Sequence, residues 1–150
     1  MTTDPKDWPA NRRLWVEALR DESRRQVQGR LGHQEYDDGQ CCLGLLAELA
    51  GCLFRLGNRN RVYDRTQCLW DEKSVFAPQR AVEFVGLRTA SGRFGADPAY
   101  LRTASARNFV GDPALGGSLA ALNDKQKAPF ALIADVIEQE PPGLFREVPE

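Results

Sequence analysis

The sequence has a single histidine, little net charge and no apolar run long enough to cross a membrane. No segment reaches the roughly 18–20 consecutive apolar residues that a spanning helix needs, and the N-terminus lacks the apolar core of a signal peptide. The formal net charge is −1, which is neither the basic balance of a nucleic-acid-binding domain nor the charge excess of a disordered chain. We therefore expect a cytoplasmic protein with no membrane partner and no sequence-specific nucleic-acid partner.

The 4 cysteines lack the spacing of a disulfide framework or of a metal site. Two of them are adjacent, and adjacent cysteines do not easily bridge each other. Structural zinc sites usually repeat pairs of ligands about two to four residues apart. The available donors show no such repeat: Cys41, Cys42, Cys52, Cys68 and His33. We predict that the protein holds no metal and no cofactor.

What the sequence does contain is enough apolar content for one ordinary domain. The chain has 150 residues, of which 42% are hydrophobic, and it shows neither an internal repeat nor a linker-like stretch. Helical periodicity dominates, with short strand-like segments between the helices. We therefore predict one domain, 1–150, of the helix-rich α+β class: a compact fold with a central apolar helix, two or three further helices, and short strands or ordered loops.

The most apolar continuous stretch of the chain, residues 40–55, is predicted to form the central helix. Its apolar residues recur at three- and four-residue intervals, which places them on one face of a helix: Cys42, Leu45, Leu46, Leu49 and Leu53. Gly57 is the expected stop. Cys41 and Cys42 lie in the first turn, where unpaired N–H groups and the helix dipole would favour a thiolate.

Punctuating residues predict the other elements. Asp7-Trp8-Pro9 is typical of a helix start, and that helix should run from about Pro9 to about Arg20. A second helix should begin at Pro78 and end at Gly86, and a last one should begin near Pro129. Between these lie predicted strands at 62–63 and 68–70, a hairpin around Ser91-Gly92, and a helical turn at 119–122 that the next two residues break or cap.

Arginine greatly outnumbers lysine, and four arginines fall in one short segment with polar and aromatic neighbours. Guanidinium groups bind phosphate bidentately and stack on bases, so this segment is a candidate ligand site. The simpler interpretation is a solvated loop. The candidate ligand-binding residues of the chain are Arg55, Arg59, Arg61, Tyr63, Arg65, Trp70, Asn123 and Asp124, although a helix cap and turn is the simpler role for the last two.

A catalytic alternative would use Cys41 as nucleophile and His33 as base. A cysteine nucleophile needs a base and a group that orients it, and Asp37, Asp38 or the pair Asn123-Asp124 could orient the imidazole. The opposing interpretation is that buried cysteines on an apolar stripe are small core residues. Candidate carboxylate pairs and glycine-rich phosphate loops lack a supporting pattern in this chain.

Several sequence blocks follow one another in a recognisable order: residues 15–20, Gln28-Gly29, Cys41-Cys42-Leu43-Gly44-Leu45-Leu46, residues 78–87, Leu119-Ala120-Ala121-Leu122-Asn123-Asp124 and residues 130–138. This order resembles that of a family of small uncharacterised proteins from bacteriophages and actinobacterial genomes. The chain departs from the family pattern at residues 21–28, where a charged run replaces a short turn. The resemblance implies an origin and a common fold, with no activity to transfer.

These observations leave three functional hypotheses. The first is a small phage-type protein in the bacterial host cell that binds a phosphate-bearing small molecule, such as a nucleotide signal of host immunity, and sequesters it without converting it. Its motivation is the arginine excess combined with apparently exposed aromatic residues. The second is the cysteine-dependent enzyme. The third is a protein-interaction inhibitor of a host protein. A homo-oligomer is compatible with each.

Overall fold

The computed structural model describes residues 3–28, 30–33, 39–58, 66–73, 75–94, 117–124 and 127–149, with residues 33, 55–58 and 66–68 described by their backbone alone. A 3-10 helix, Pro5–Asp7, leads into α1, Trp8–Leu19. The other helices are α2 (Cys42–Leu49), α3 (Gln79–Val85), α4 (Leu119–Asp124) and α5 (Phe130–Glu138). The strands are β1 (Gly32–His33), β2 (Gly39–Gln40), β3 (Phe54–Asn58) and β4 (Thr66–Trp70). The predicted helix-rich α+β class is confirmed.

Helix α2 lies at the centre of the core, as its apolar stripe predicts. Residues 42–47 of this helix are all buried, and α1, α3, α4 and β4 pack around it. Gly44 is required for this arrangement, because a Cβ at this position would lie 1.9 Å from the backbone oxygen of Leu31. The loop before β1 therefore approaches the helix backbone more closely than any side chain would permit.

Helix α2 ends earlier than predicted. Gly51 adopts a left-handed conformation with φ of 75°, and the Cys52 N–H donates to the Ala47 carbonyl at 3.1 Å. Leu53 is 74% exposed, so it does not belong to the buried stripe. The prediction that the helix continues to Arg55 and stops at Gly57 is wrong, because Gly51 supplies the left-handed stop and residues 54–58 form a strand.

Strands β3 and β4 form an antiparallel hairpin. The register runs from Phe54 opposite Trp70 to Asn58 opposite Thr66. The strand predicted at 68–70 is confirmed within β4, and the one predicted at 62–63 lies outside the described residues. Strand β4 faces α2 and β1, and a Cβ added to Gly32 would lie 2.5 Å from the Trp70 ring.

Helix α3 begins after Pro78 and ends at Gly86, as predicted. Gly86 is left-handed with φ of 73°. The hairpin predicted around Ser91-Gly92 is wrong. Instead, Arg93 pairs with Ser118, and the Leu119 N–H donates to the Gly92 carbonyl at 2.9 Å. The partner of this segment is thus the approach to α4, which a local turn signal cannot reveal.

Helices α1 and α5 pack along each other and close the other side of the core. At their ends, Arg20 forms ion pairs with Asp135 (2.8 Å) and Glu138 (2.6 Å). In the described part of the chain, no helix has the length and apolar character needed to cross a membrane.

Candidate functional site

The two sequence blocks that begin at Cys41 and Leu119 meet at a buried amide. The Asn123 side chain is fully buried, and its Oδ1 accepts from the backbone N–H of Cys42 (3.2 Å) and from Gln26 Nε2 (2.8 Å). Its Nδ2 donates to the Val27 carbonyl (2.7 Å) and to Asp124 Oδ1 (2.8 Å). One side chain therefore connects α2, α4 and the segment before β1.

This geometry corrects the roles predicted for Asn123. A primary amide has two N–H donors and two acceptor lone pairs on its oxygen, and all four are used within the protein. The residue lies inside α4 and does not cap it. Asn123 therefore has neither the helix-cap role nor the ligand contact expected from the sequence. Asp124 is only half-buried and accepts one of these bonds, so it supports the same contact.

The Cys41 thiol lies at the N-terminus of α2, where the sequence places it, but it is 4% exposed. The pKa of Cys41 is raised to about 12, chiefly by burial; the N–H of Gly44, which donates to the sulfur at 3.4 Å, opposes this shift, and the nearby Asp124 carboxylate adds to it. Desolvation outweighs the helix N-terminus. The prediction that Cys41 forms a thiolate is therefore wrong. Cys41 is a protonated core residue at neutral pH.

The other cysteines and the histidine do not complete a catalytic set. Burial also raises the pKa of Cys42, whose thiol donates to the Leu119 carbonyl at 3.7 Å. The pKa of Cys52 is raised to about 12 by burial and by its hydrogen bond to Asp71. His33 lies in β1, and its side chain is outside the described residues. Among the side chains the structure describes, no group of three or more His, Cys, Asp or Glu residues is placed to hold a metal ion.

The structure describes little of the predicted arginine cluster. Arg55 lies in β3 opposite Leu69, with its side chain outside the described residues. Four further candidates fall outside the described residues altogether: Arg59, Arg61, Tyr63 and Arg65. The structure corrects the ligand-binding role predicted for Trp70. Its side chain is 6% exposed and contacts the Phe54 ring at a centroid distance of 4.9 Å. It is a core residue and offers no face on which a base could stack.

A second group of arginines gathers where the C-terminal segment crosses the end of α3. Residues 144–146, here called the C-terminal strap, pair with residues 86–88 through a bridge between Leu87 and Phe145. The Arg146 N–H donates to the Gly86 carbonyl (2.7 Å), and the Arg88 N–H donates to the Leu144 carbonyl (3.0 Å). These bonds hold Arg88 and Arg146 on neighbouring, paired segments.

Arg12 of α1 connects its helix to the C-terminal strap and to α3. Its Nε donates to the Val85 carbonyl (2.7 Å) and its Nη2 to the Arg146 carbonyl (3.0 Å), while its Nη1 pairs with Glu140 Oε1 (2.7 Å). The guanidinium also lies 4.1 Å from the centroid of the Phe145 ring, at cation–π distance. Partial burial lowers the pKa of Arg12, and the Glu140 carboxylate opposes that shift.

Beside the strap lies a solvent-open depression of ≈ 530 Å³, here called the arginine depression. Its charged lining consists of Arg12, Arg88, Arg146, Glu140 and Glu147. Arg12 is engaged by Glu140, whereas neither Arg88 nor Arg146 forms an ion pair with any carboxylate of the described residues. Both residues are exposed, and each side chain has a contact within the protein: Arg88 Nε donates to the Phe145 carbonyl (3.0 Å), and the Arg146 guanidinium lies 4.8 Å from the centroid of the Trp8 ring. Their terminal N–H groups keep the hydrogen-bonding capacity to receive an anion.

A second depression of ≈ 420 Å³, here called the α1–α5 groove, adjoins the first. The two share Arg12, Glu140 and Val148 in their linings. Sequence reasoning missed this whole region, because its arginines come from α1, the end of α3 and the strap, with no local pattern that links them. The only sequence signal is the general excess of arginine.

Comparison with protein families identifies one relationship. The model of a domain of unknown function, DUF8296, matches residues 10–141. This range includes all of α1 except its first two residues, the buried amide of Asn123 and the whole of α5, and it ends just before the strap. Comparisons with curated proteins and with solved structures give no match. Because the match covers most of the chain, the protein belongs to the DUF8296 family.

Proposed function

We propose that this protein binds a phosphate-bearing small molecule and sequesters it without converting it. The observation that carries the proposal is the pair of guanidinium groups of Arg88 and Arg146 on the lining of the arginine depression, without a carboxylate partner among the described residues. Planar guanidinium groups match the oxygens of a phosphate, and charge-assisted hydrogen bonds of this kind are the strong ones.

The chemistry of Cys41 favours binding over covalent catalysis. A nucleophilic cysteine must become a thiolate near neutral pH, and a pKa of about 12 leaves almost none. The thiol is also 4% exposed, so a substrate would need an opening of the core to reach it. The cysteine-dependent enzyme with Cys41 and His33 is therefore the weaker hypothesis.

We propose that this binding protein is of phage type and acts in the cytoplasm of a bacterial host. Phages gain from removing nucleotide signals of host immunity, and a small protein that binds such a signal tightly removes it without any turnover. The sequence blocks described above support the phage-type origin, and the arginine depression supports the anionic ligand. Self-association would add sites without changing this mechanism.

Thermal-shift measurements against inorganic phosphate, mono-, di- and cyclic nucleotides and NAD derivatives test the proposal. A ligand at about 100 times its dissociation constant should stabilise the protein by roughly 2.7 kcal/mol. Chromatography of the released ligand should recover it unaltered. A ligand recovered chemically changed would refute sequestration, and the absence of a shift with every phosphate compound would refute phosphate binding.

Arginine variants test where the anion binds. Arg88→Gln combined with Arg146→Gln should weaken binding at least tenfold, because each charge-assisted hydrogen bond contributes about 1.5–3 kcal/mol. Arg93→Gln is the matched control, since Arg93 is exposed and lines neither depression. The sequence prediction is tested in parallel with Arg59→Ala and Arg61→Ala. Loss of binding only in this last pair would move the site to the predicted arginine segment.

One observation favours the protein-interaction alternative. Several large apolar side chains are exposed in two segments of the chain, Leu53 with Phe54 and Val75 with Phe76. Leu53 and Asp71 are joined by two hydrogen bonds, of 2.7 and 2.8 Å, which hold the first segment to the end of β4. If this surface binds a host protein, Phe54→Ser with Phe76→Ser should abolish a complex that wild-type protein forms in bacterial lysate. A complex that survives both substitutions would exclude this surface.

A further inference from the structure

We infer that the arginine depression and the α1–α5 groove form one bipartite site for a nucleoside phosphate, with the phosphate at Arg88 and Arg146 and the uncharged nucleoside in the groove. This inference rests on the proposed function. Beyond the proposed function, it specifies the class of ligand and the orientation in which the ligand binds. It also assigns the α1–α5 groove as a part of the site that does not contact phosphate.

The two depressions adjoin each other. Arg12, Glu140 and Val148 line both of them, and the ion pair between Arg12 and Glu140 (2.7 Å) lies where they meet. The Arg12 side chain is held by two backbone carbonyls and by the Phe145 ring. The border between the two halves is therefore a fixed feature of the fold, and a ligand bound in both would pass beside the Arg12–Glu140 ion pair.

The two halves differ in charge. The arginine depression has three guanidinium groups and two carboxylates in its lining, and one of the carboxylates, Glu140, is neutralised by Arg12. The lining of the groove has three guanidinium groups and three carboxylates, and there Arg20 pairs with Glu138 at 2.6 Å. One end is therefore positive and the other electroneutral. This arrangement suits a ligand with an anionic group at one end and an uncharged body.

The groove has the chemistry to receive a nucleoside. The exposed apolar residues of its lining, Pro9 and Val148, offer a surface for a base, above the buried Val16 and Ile137. Glu17 of α1 is exposed and forms no ion pair within the described residues, so its carboxylate is able to accept hydrogen bonds from sugar hydroxyls. The volume of ≈ 420 Å³ is within the range of small-molecule sites, about 300–1,000 Å³.

Isothermal titration of the full chain with a graded series of compounds tests the inference. The series is inorganic phosphate, ribose 5-phosphate, the four ribonucleoside 5′-monophosphates and the matching unphosphorylated nucleosides. We expect at least one nucleotide to bind tenfold or more tightly than inorganic phosphate. Ribose 5-phosphate should be intermediate, because it brings sugar hydroxyls for Glu17 but no base.

Variants separate the two halves of the site. Glu17→Gln should weaken nucleotide binding several-fold and leave the affinity for inorganic phosphate unchanged, whereas Arg88→Gln should weaken both. Glu22→Gln is the control, an exposed carboxylate that lines neither depression. Equal affinity for phosphate and for all four nucleotides, with no effect of Glu17→Gln, would overturn the inference and leave the proposed function standing. If no phosphate compound binds at all, the proposed function fails with it.

Discussion

Replacement of Asn123 by alanine tests whether the buried amide holds the core together. The substitution removes one side chain and leaves two backbone groups without their partner: the Cys42 N–H and the Val27 carbonyl. Asn123 is fully buried, so solvent water does not reach these groups to replace the lost hydrogen bonds. The carbonyl and the N–H belong to different parts of the fold, and both lose their connection to α4.

The magnitude follows from the number of groups left unsatisfied. A buried donor or acceptor without a partner costs about 1–3 kcal/mol. Two of them should lower the free energy of unfolding by about 2–6 kcal/mol, a large share of the roughly 5–15 kcal/mol that stabilises an ordinary domain. For a domain of this size, about 2–4 °C is lost per kcal/mol, so the melting temperature should fall by roughly 4–24 °C.

Urea denaturation followed by circular dichroism measures this change. Asp124→Ala is the control, because it removes only one bond to the same amide at a half-exposed position and should cost about 1 kcal/mol or less. If Asn123→Ala and Asp124→Ala have the same small effect, the buried amide does not carry the connection between α2 and α4.

Two further predictions concern the start of α2. Gly44→Ala should lower the free energy of unfolding by about 1–3 kcal/mol or more, because the new Cβ would lie 1.9 Å from the Leu31 carbonyl oxygen and the loop must move. Urea denaturation measures this change. A variant as stable as the wild-type protein would contradict the close approach of the loop to α2. Cys41 and Cys42 should react with a thiol reagent at pH 8 at least 100-fold more slowly in folded protein than in urea, since burial raises the pKa of both thiols. Rapid labelling of folded Cys41 would revive the enzyme hypothesis.

Local signals in the sequence predicted the helices well where a helix start or stop is encoded within a few residues. Proline precedes the first turn of α3 and α5, and Gly86 ends α3 in the left-handed conformation that only glycine adopts readily. The end of α2 was missed because two glycines, Gly51 and Gly57, offer competing stops. Only the packing of the chain decides which of them ends the helix.

The candidate site was less accessible from the sequence, because exposure and contacts are long-range properties. Cys41 occupies the expected helix start, yet its burial reverses the expected direction of its pKa shift. Trp70 reads as an exposed aromatic residue in a polar segment, but its strand register places it beneath Gly32 and in the core. The arginine depression draws its residues from segments far apart in the chain.

The sequence by itself determined the class of the fold and the central position of α2, because helical periodicity and residue-specific starts and stops act over a few neighbouring residues. It also contained the two blocks that meet at Asn123, without indicating that they meet. The tertiary structure alone decided which side chains are desolvated and which arginines come together. Those properties depend on how distant segments pack, and they determine both the pKa of a thiol and the place where an anion can bind.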